Sequence, residues 1–476
     1  MNFQPAAKRR RLAEKHVPSG DNFRKMQLRT VIRENHGQAI EKVAFNNTTV
    51  AEEDNSLNCN NLVASIGANQ LNIYDNIHCD KNFLDLFCNF VHKVPKENLA
   101  DVDPGEEHHT PGADLTCVTW VHKPAPENTN LAVGTKDGAI LILSIASSSV
   151  THVLKGHSSE VTHVVPIHVK SATGEQGLLS SSRDGQIKFW NVTTGRCVST
   201  YKAVDGKLAN ACESIGLVVE TDTTFLTSQP DGSVRRWVLD AAEFDTPVAA
   251  VPLTNTTSSS SSSSTTTTTT TTSTTPSTST STSNKTNTAI HVLSESTCVI
   301  SSPKPRPLSH FSSGENGALI TGSNTGRISV WEKKTEDSKE YKCVTTFTVP
   351  RGEEGSSNNN AKSRKKKVSS ASSSSVSTSK YGTKGRNYAF ACANEYVITG
   401  NESGEIIVYN GRTGSQVSKL SHSRMNARSG SIEDVDVSKD GTTILVSTSS
   451  GLLFRWSCLP VWEGEEALSI VAATAE

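Results

Sequence analysis

The sequence predicts an all-β fold, a propeller of seven blades, with a disordered N-terminal arm and two disordered inserts. Three observations predict it. A short pattern, Gly-x-apolar-x-apolar-aromatic, recurs along the chain in seven copies. The ends of neighbouring copies are repeatedly 47 residues apart. The two widest spacings each contain a long polar tract. Self-similarity at such a period marks solenoids and propellers, in which each unit buries its apolar face against the next.

The copies read Gly185-Gln-Ile-Lys-Phe-Trp190, Gly232-Ser-Val-Arg-Arg-Trp237, Gly326-Arg-Ile-Ser-Val-Trp331, Gly404-Glu-Ile-Ile-Val-Tyr409 and Gly451-Leu-Leu-Phe-Arg-Trp456. Gly138-Ala-Ile-Leu-Ile-Leu143 ends on Leu, and Asn69-Gln-Leu-Asn-Ile-Tyr74 begins on Asn. Each copy is expected to be the second half of a hairpin. The Gly, or Asn69 in the first copy, supplies a left-handed turn residue, and the alternating apolar positions make a half-buried strand. Asp137, Asp184 and Asp231 precede the turn glycine. Ten residues before the terminal aromatic stand Ser180, Thr227, Thr321 and Thr399, each following an apolar pair that reads as the preceding strand. The segment 26–34 is expected to pair with the last blade and close the ring, which removes an exposed sheet edge.

The polar tracts are read as insertions between repeats. Residues 254–288 are Ser or Thr at 30 of 35 positions, and 351–385 are mostly Ser, Asn, Lys and Gly. Such tracts cannot bury enough apolar area to offset chain entropy. They explain why the apolar fraction is only 34%. The organisation expected is a basic arm over 1–25, a propeller over 26–462 interrupted at 254–288 and 351–385, and a tail over 463–476.

Composition narrows the function. The net charge of -1 is not that of a general nucleic-acid binder. No run approaches 18 apolar residues and no apolar stretch opens the chain, so neither a membrane span nor a secretion signal is expected. The ten cysteines are scattered without a C-x-x-C pair, so reduced thiols and no metal knuckle are expected. The run Asp101 to His109 gathers carboxylates and imidazoles, yet offers no sign of a fixed ligand shell, and no metal or cofactor is assigned. Phosphate-binding, zinc-protease, dinucleotide and nucleophile-elbow motifs are absent, so the chain is not read as an enzyme. Lys8-Arg9-Arg10-Arg11 suits a nuclear import signal, and Arg364-Lys365-Lys366-Lys367 less so. The Ser/Thr tract reads as a neutral expansion more readily than as a phosphate acceptor.

Gly156-His157, followed by Trp190-Asn191, resembles a WD40 repeat. The resemblance implies a structural tetrad of His157, Ser180, Asp184 and Trp190, with no catalytic role; His422 with Trp456 is a partial second set. Blade one is more specific. Glu34-Asn35-His36-Gly37-Gln38-Ala39-Ile40, Val43-Ala44-Phe45-Asn46, Leu62-Val63-Ala64-Ser65-Ile66-Gly67 and Ile73-Tyr74 resemble the first blade of the extra sex combs/EED family. Thr116 to Trp120, Leu131 to Gly134 and Phe454-Arg455-Trp456 continue the likeness. The resemblance implies a nuclear scaffold of a polycomb-type complex that docks a SET-domain histone methyltransferase and reads a histone H3 tail. In that family a methyl-lysine is held by an aromatic cage, whose π-faces stabilise a quaternary ammonium. The cage positions fall near Glu41, Thr116 and Asn387-Tyr388. Only Tyr388 is aromatic there, with Phe390 a neighbour, so the cage is expected to be mostly lost and weak. The alternative is another WD40 adaptor, either an origin-recognition-associated chromatin protein or a cytosolic assembly scaffold; a propeller hydrolase or lyase is the remaining class.

Overall fold

The computed structural model describes residues 18–46, 62–76, 84–95, 109–121, 130–169, 176–204, 215–229, 231–242, 244–245, 288–300, 308–313, 317–323, 326–335, 338, 340–350, 389–401, 404–421 and 431–458. The polar inserts, the basic run at 8–11, His422, Tyr388 and the segment 463–476 therefore lie outside the described residues.

Seven sheets, antiparallel except for one added strand in blade three, make seven blades. The inner strands are, in order, Lys42–Phe45, Leu115–Val121, Val161–His168, Leu217–Thr221, Leu308–Ser313, Phe390–Ala393 and Ile432–Val437. Each lies against the next, and Ile432–Val437 lies against Lys42–Phe45, so the ring is closed. Apolar clusters fill the spaces between blades. Ile40, Val43, Phe45, Val63, Tyr74, Leu445 and Leu453 pack blade one against blade seven.

The first strand of the chain, Gln27–Arg33, is the outer strand of blade seven, antiparallel to Leu452–Ser457. The last blade is thus built from both ends of the fold, as the segment 26–34 predicted. One expectation fails just upstream. The arm does not run free to residue 25: Gly20–Arg24 forms a helical turn capped by Ser19, whose hydroxyl accepts from the Asn22 N–H. Phe23 is fully buried and its ring lies 5.0 Å from Tyr396 of blade six. A five-residue turn is too short to show apolar periodicity, and its stability comes from packing one ring.

The hairpin glycines do what the repeat demands. Gly138, Gly185, Gly232, Gly326, Gly404 and Gly451 have φ between +77° and +91°. Gly451 is doubly constrained, because a Cβ there would lie 2.5 Å from the Gln38 carbonyl oxygen. In the first copy, however, the left-handed residue is Ala68 (φ +49°) and not Asn69. That hairpin joins Leu62–Gly67 to Gln70–Asp75 through two residues only. Asn69 instead donates through its side chain to the His92 carbonyl, at 3.0 Å.

The Ser/Thr tract falls within blade four rather than between blades. The third strand, Val234–Val238, precedes it and the outer strand, Thr297–Ile300, follows it. On the way back the chain adds Ala289–Val292 to the edge of blade three as a fifth strand, parallel to Arg196–Lys202. The second tract does lie between blades, after Tyr341–Thr348 of blade five and before Phe390–Ala393 of blade six.

Candidate functional site

Turns at the ends of three inner strands build a mouth with a cavity of about 560 Å³. His36, Gln38, Ala39 and Glu41 come from the segment leading into blade one, Ala68 to Gln70 from its hairpin, Asp114 to Thr116 and Lys136 from blade two, and Glu160 from blade three. Carboxylates dominate: Glu41, Asp114 and Glu160 face one cation, Lys136, which lies 3.5 Å from Asp114. Arg183 pairs with Glu160 at 2.9 Å. The Glu41 carboxyl is held above its usual range, first by burial and then by Glu433 nearby. No Phe, Tyr or Trp side chain lines the cavity among the described residues. The chemistry on offer is carboxylate and amide oxygen, suited to a cation that carries N–H donors.

Two of the positions selected from sequence, Glu41 and Thr116, meet in this cavity. Thr116 spans to blade three by donating to the Val161 carbonyl at 2.6 Å. Tyr388 and Asn387 lie outside the described residues. Phe390 is a core side chain, 9% exposed and packed with Ile320, Ile328, Val330 and Tyr409 between blades five and six. Its alternation on the first strand of blade six turns it inward, so its ring is no cage wall.

His157, Ser180, Asp184 and Trp190 are brought together in blade three. The His157 Nδ1 is 3.0 Å from Asp184, its Nε2 is 2.8 Å from the Ser180 hydroxyl, and the Trp190 indole donates to the same hydroxyl at 2.8 Å. Ser, His and Asp stand in the order of a hydrolytic triad. Ser180 is nonetheless 0% exposed and already accepts from an indole, so a substrate carbonyl has no approach to it. The carboxyl of Asp184, although partly desolvated, is held below its usual range by His157 and by the Ser158 and Gln186 N–H groups.

Sequence reasoning missed the corresponding group in blade one. The Glu34 carboxylate is buried and accepts from Ser65, from Tyr74 at 3.0 Å and from His36 at 2.6 Å. His36 Nδ1 accepts the Gln38 N–H at 3.1 Å, which assigns the ring proton to Nε2. Ser65 pairs across the hairpin with Asn72, two residues before Tyr74, just as Ser180 pairs with Lys188, two before Trp190. The spacing is nine residues here, not ten, because the hairpin is one residue shorter.

Charged side chains also stitch the closing blades. Asp434 accepts from Lys42 Nζ and from the Val43 N–H, both at 3.0 Å, and Asp436 accepts the Phe45 N–H at 2.7 Å. Desolvation pushes the Asp436 carboxyl up to about 7. Alternate residues of one inner strand thus hold alternate N–H groups of its neighbour, where no backbone ladder joins the two sheets.

The family model of the WD domain, G-beta repeat, matches residues 148–191. That span takes in the outer strand of blade two and three strands of blade three. The Polycomb protein esc of Drosophila virilis is 25% identical over 217 residues, 45% of this chain and 44% of the relative. Its counterpart in Musca domestica is 27% identical over 203 residues, 42% of this chain and 41% of the relative. In Drosophila melanogaster the figures are 26% over 217 residues, 45% and 44%. The match covers less than half the length of each relative. The chain is thus a closed propeller of seven blades, with one repeat that matches the WD domain model and a partial similarity to the Polycomb esc proteins.

Proposed function

We propose that this chain is a non-catalytic scaffold subunit of a nuclear, polycomb-type histone methyltransferase complex. Its propeller docks a SET-domain catalytic subunit, and its mouth receives a basic side chain of the histone H3 tail. The similarity to the esc proteins carries this reading, and the carboxylate-lined cavity supports it. An ammonium or guanidinium donates charge-assisted hydrogen bonds to carboxylates, whereas a trimethylammonium has no N–H to donate and needs π-faces instead.

Affinity purification of the full chain from nuclear extract tests the scaffold role. Recovery of a SET-domain methyltransferase is the expected result. Its absence, with origin-recognition proteins recovered in its place, would assign the chain to the other adaptor class. Titration of H3 peptides tests the mouth. Unmodified peptide is expected to bind at least as tightly as trimethylated peptide and to weaken several-fold on Glu41→Gln. A tenfold preference for the trimethylated peptide would restore the aromatic cage.

A further inference from the structure

Blade three is one strand wider than blade two, because Ala289–Val292 is added to it, parallel to Arg196–Lys202. The two faces of the added strand have different surroundings. Side chains alternate across a strand, so paired residues of neighbouring strands share a face. Tyr201 and His291 are one such pair and face blade four: Tyr201 and Leu293 belong to the apolar cluster between blades three and four, and the His291 ring stacks on Tyr201 at 4.8 Å. The other face is turned towards blade two. Trp190 fixes its direction, being packed with Ile140, Ile142 and Leu154 of blade two. Lys188, two residues earlier on the same strand, pairs with Thr200, and Thr200 pairs with Ile290. Gln186, Lys202 and Val292 make the next row on the same face. Blade two has no fifth strand to set against the outermost two residues, so Ile290 is 59% and Val292 43% exposed.

The same face is basic. Lys202 is exposed, and half-buried Lys188 donates to the Thr200 hydroxyl at 3.1 Å. Exposed Lys155, in the link from blade two, precedes Gly156, where a Cβ would lie 3.6 Å from the Lys188 Cε. None of the three lysines joins an ion pair among the described residues. The carboxylates of Asp240 and Glu295 are held on the opposite face, at 3.1 and 2.8 Å from the His291 ring nitrogens. We propose that this ledge, Ile290 and Val292 beside Lys155, Lys188 and Lys202, is a docking surface for an acidic segment of a partner protein. The segment lays apolar side chains on Ile290 and Val292 and carboxylates on the lysines. Apolar side chains exposed next to one another and rimmed by charge mark a contact site. Ammonium groups without ionic partners attract carboxylates over a distance and then donate charge-assisted hydrogen bonds to them. A nucleic acid would engage the lysines and leave the apolar pair bare, whereas an acidic segment with apolar anchors uses both. The ledge is independent of the mouth, whose charge has the opposite sign.

Fluorescence anisotropy with the full chain tests the ledge. The probe is a labelled twelve-residue peptide of Glu and Leu in equal parts. Two counterparts separate its contributions, one with Ser in place of every Leu and one with Gln in place of every Glu. The Glu/Leu peptide is expected to bind about tenfold more tightly than either counterpart. Its affinity is expected to fall about tenfold in the double variant Ile290→Asp with Val292→Asp, and by a similar factor in Lys188→Glu with Lys202→Glu. These two variants alter different chemistry on one face, so a local disturbance of the short fifth strand by the first does not account for a loss in the second. Glu41→Gln, at the mouth, is expected to leave the affinity unchanged. Equal binding of the three peptides, wild-type affinity in both double variants, or tighter binding of a single-stranded DNA of the same length overturns the proposal.

Discussion

Trp190, Trp237 and Trp331 each donate their indole N–H to a hydroxyl ten residues earlier, Ser180, Thr227 and Thr321, at 2.8, 3.0 and 2.9 Å. Trp456 is 4% exposed and has no acceptor for its Nε1 among the described residues. The residue ten before it is Val446, which pairs with Phe454 in the same register that Ser180 keeps with Lys188. A hydroxyl at 446 therefore lands under an unpaired donor. Val→Thr in a core ordinarily costs about 1–2 kcal/mol, because a buried hydroxyl goes unsatisfied. Val446→Thr is expected to be neutral or to stabilise by up to about 1 kcal/mol in urea unfolding, while Val408→Thr, a core position of blade six, shows the ordinary loss. Equal losses at the two positions would mean the indole is satisfied elsewhere. The reverse substitution follows from the same logic. Ser180→Ala leaves both the Trp190 indole and one nitrogen of His157 unpaired and is expected to cost about 2–3 kcal/mol.

Between elements, charge does what apolar packing does within them. Glu220 of blade four, 5% exposed, accepts from Arg236 at 2.5 Å, from Tyr341 at 2.8 Å and from Lys333 at 3.1 Å, the last two in blade five. Although burial opposes it, hydrogen bonds from Arg236, Tyr341 and Lys333 bring the carboxyl down to about 2. A carboxyl depressed by folding stabilises above its unfolded range and loses that contribution as it protonates in the folded state. The contribution is thus full above about pH 4.5 and fades towards pH 2. Glu220→Gln is expected to cost about 2–4 kcal/mol at pH 7 by leaving Arg236 and Lys333 without their shared partner. The gap to wild type is expected to close as the pH falls to 2; a gap constant over that range would mean the ion pairs contribute nothing net.

None of this network was legible from sequence, since Glu220 and Tyr341 are 121 residues apart and no local pattern links them. The hairpins were legible because their chemistry is local: an Asp-Gly turn and two alternating strands announce themselves within fifteen residues. Blade one shows where that reading stops. Its two-residue turn moved Ser65 out of the ten-residue spacing and placed the left-handed conformation on Ala68, a residue with no turn signature. The mouth was half legible. Glu41 and Thr116 were found through the family likeness, whereas Asp114 and Glu160, which give the cavity its sign, come from segments that carry no motif.

At the scale of the whole molecule, a propeller has one seam, and here it is fastened four ways. Gln27–Arg33 adds the outer strand to blade seven. Asp434 and Asp436 hold the inner strand of blade one. Arg455, 1% exposed, donates to Asn76 at 2.7 Å. Glu34 and Ile40 donate their N–H groups to Gly451 and Thr448. The seam carries its own pH dependence, opposite in sign to that of Glu220. A carboxyl raised to about 7 by folding binds its proton more tightly in the folded state. Stability from Asp436 is therefore greatest below about pH 4 and declines as the pH rises towards 7. Asp436 keeps some contact with solvent and accepts two backbone N–H groups, so the decline is expected to be about 1–2 kcal/mol rather than the full value of the shift. Asp436→Asn has no charge to lose. It is less stable than wild type at pH 4, where one N–H has lost its acceptor, and the difference is expected to shrink towards pH 7. Deleting residues 1–33 tests the strand itself. It bares the edge of Leu452–Ser457, so the truncated chain is expected to melt earlier and to self-associate through that edge. A monomeric truncation with an unchanged melting temperature would show that the side-chain contacts close the ring without it.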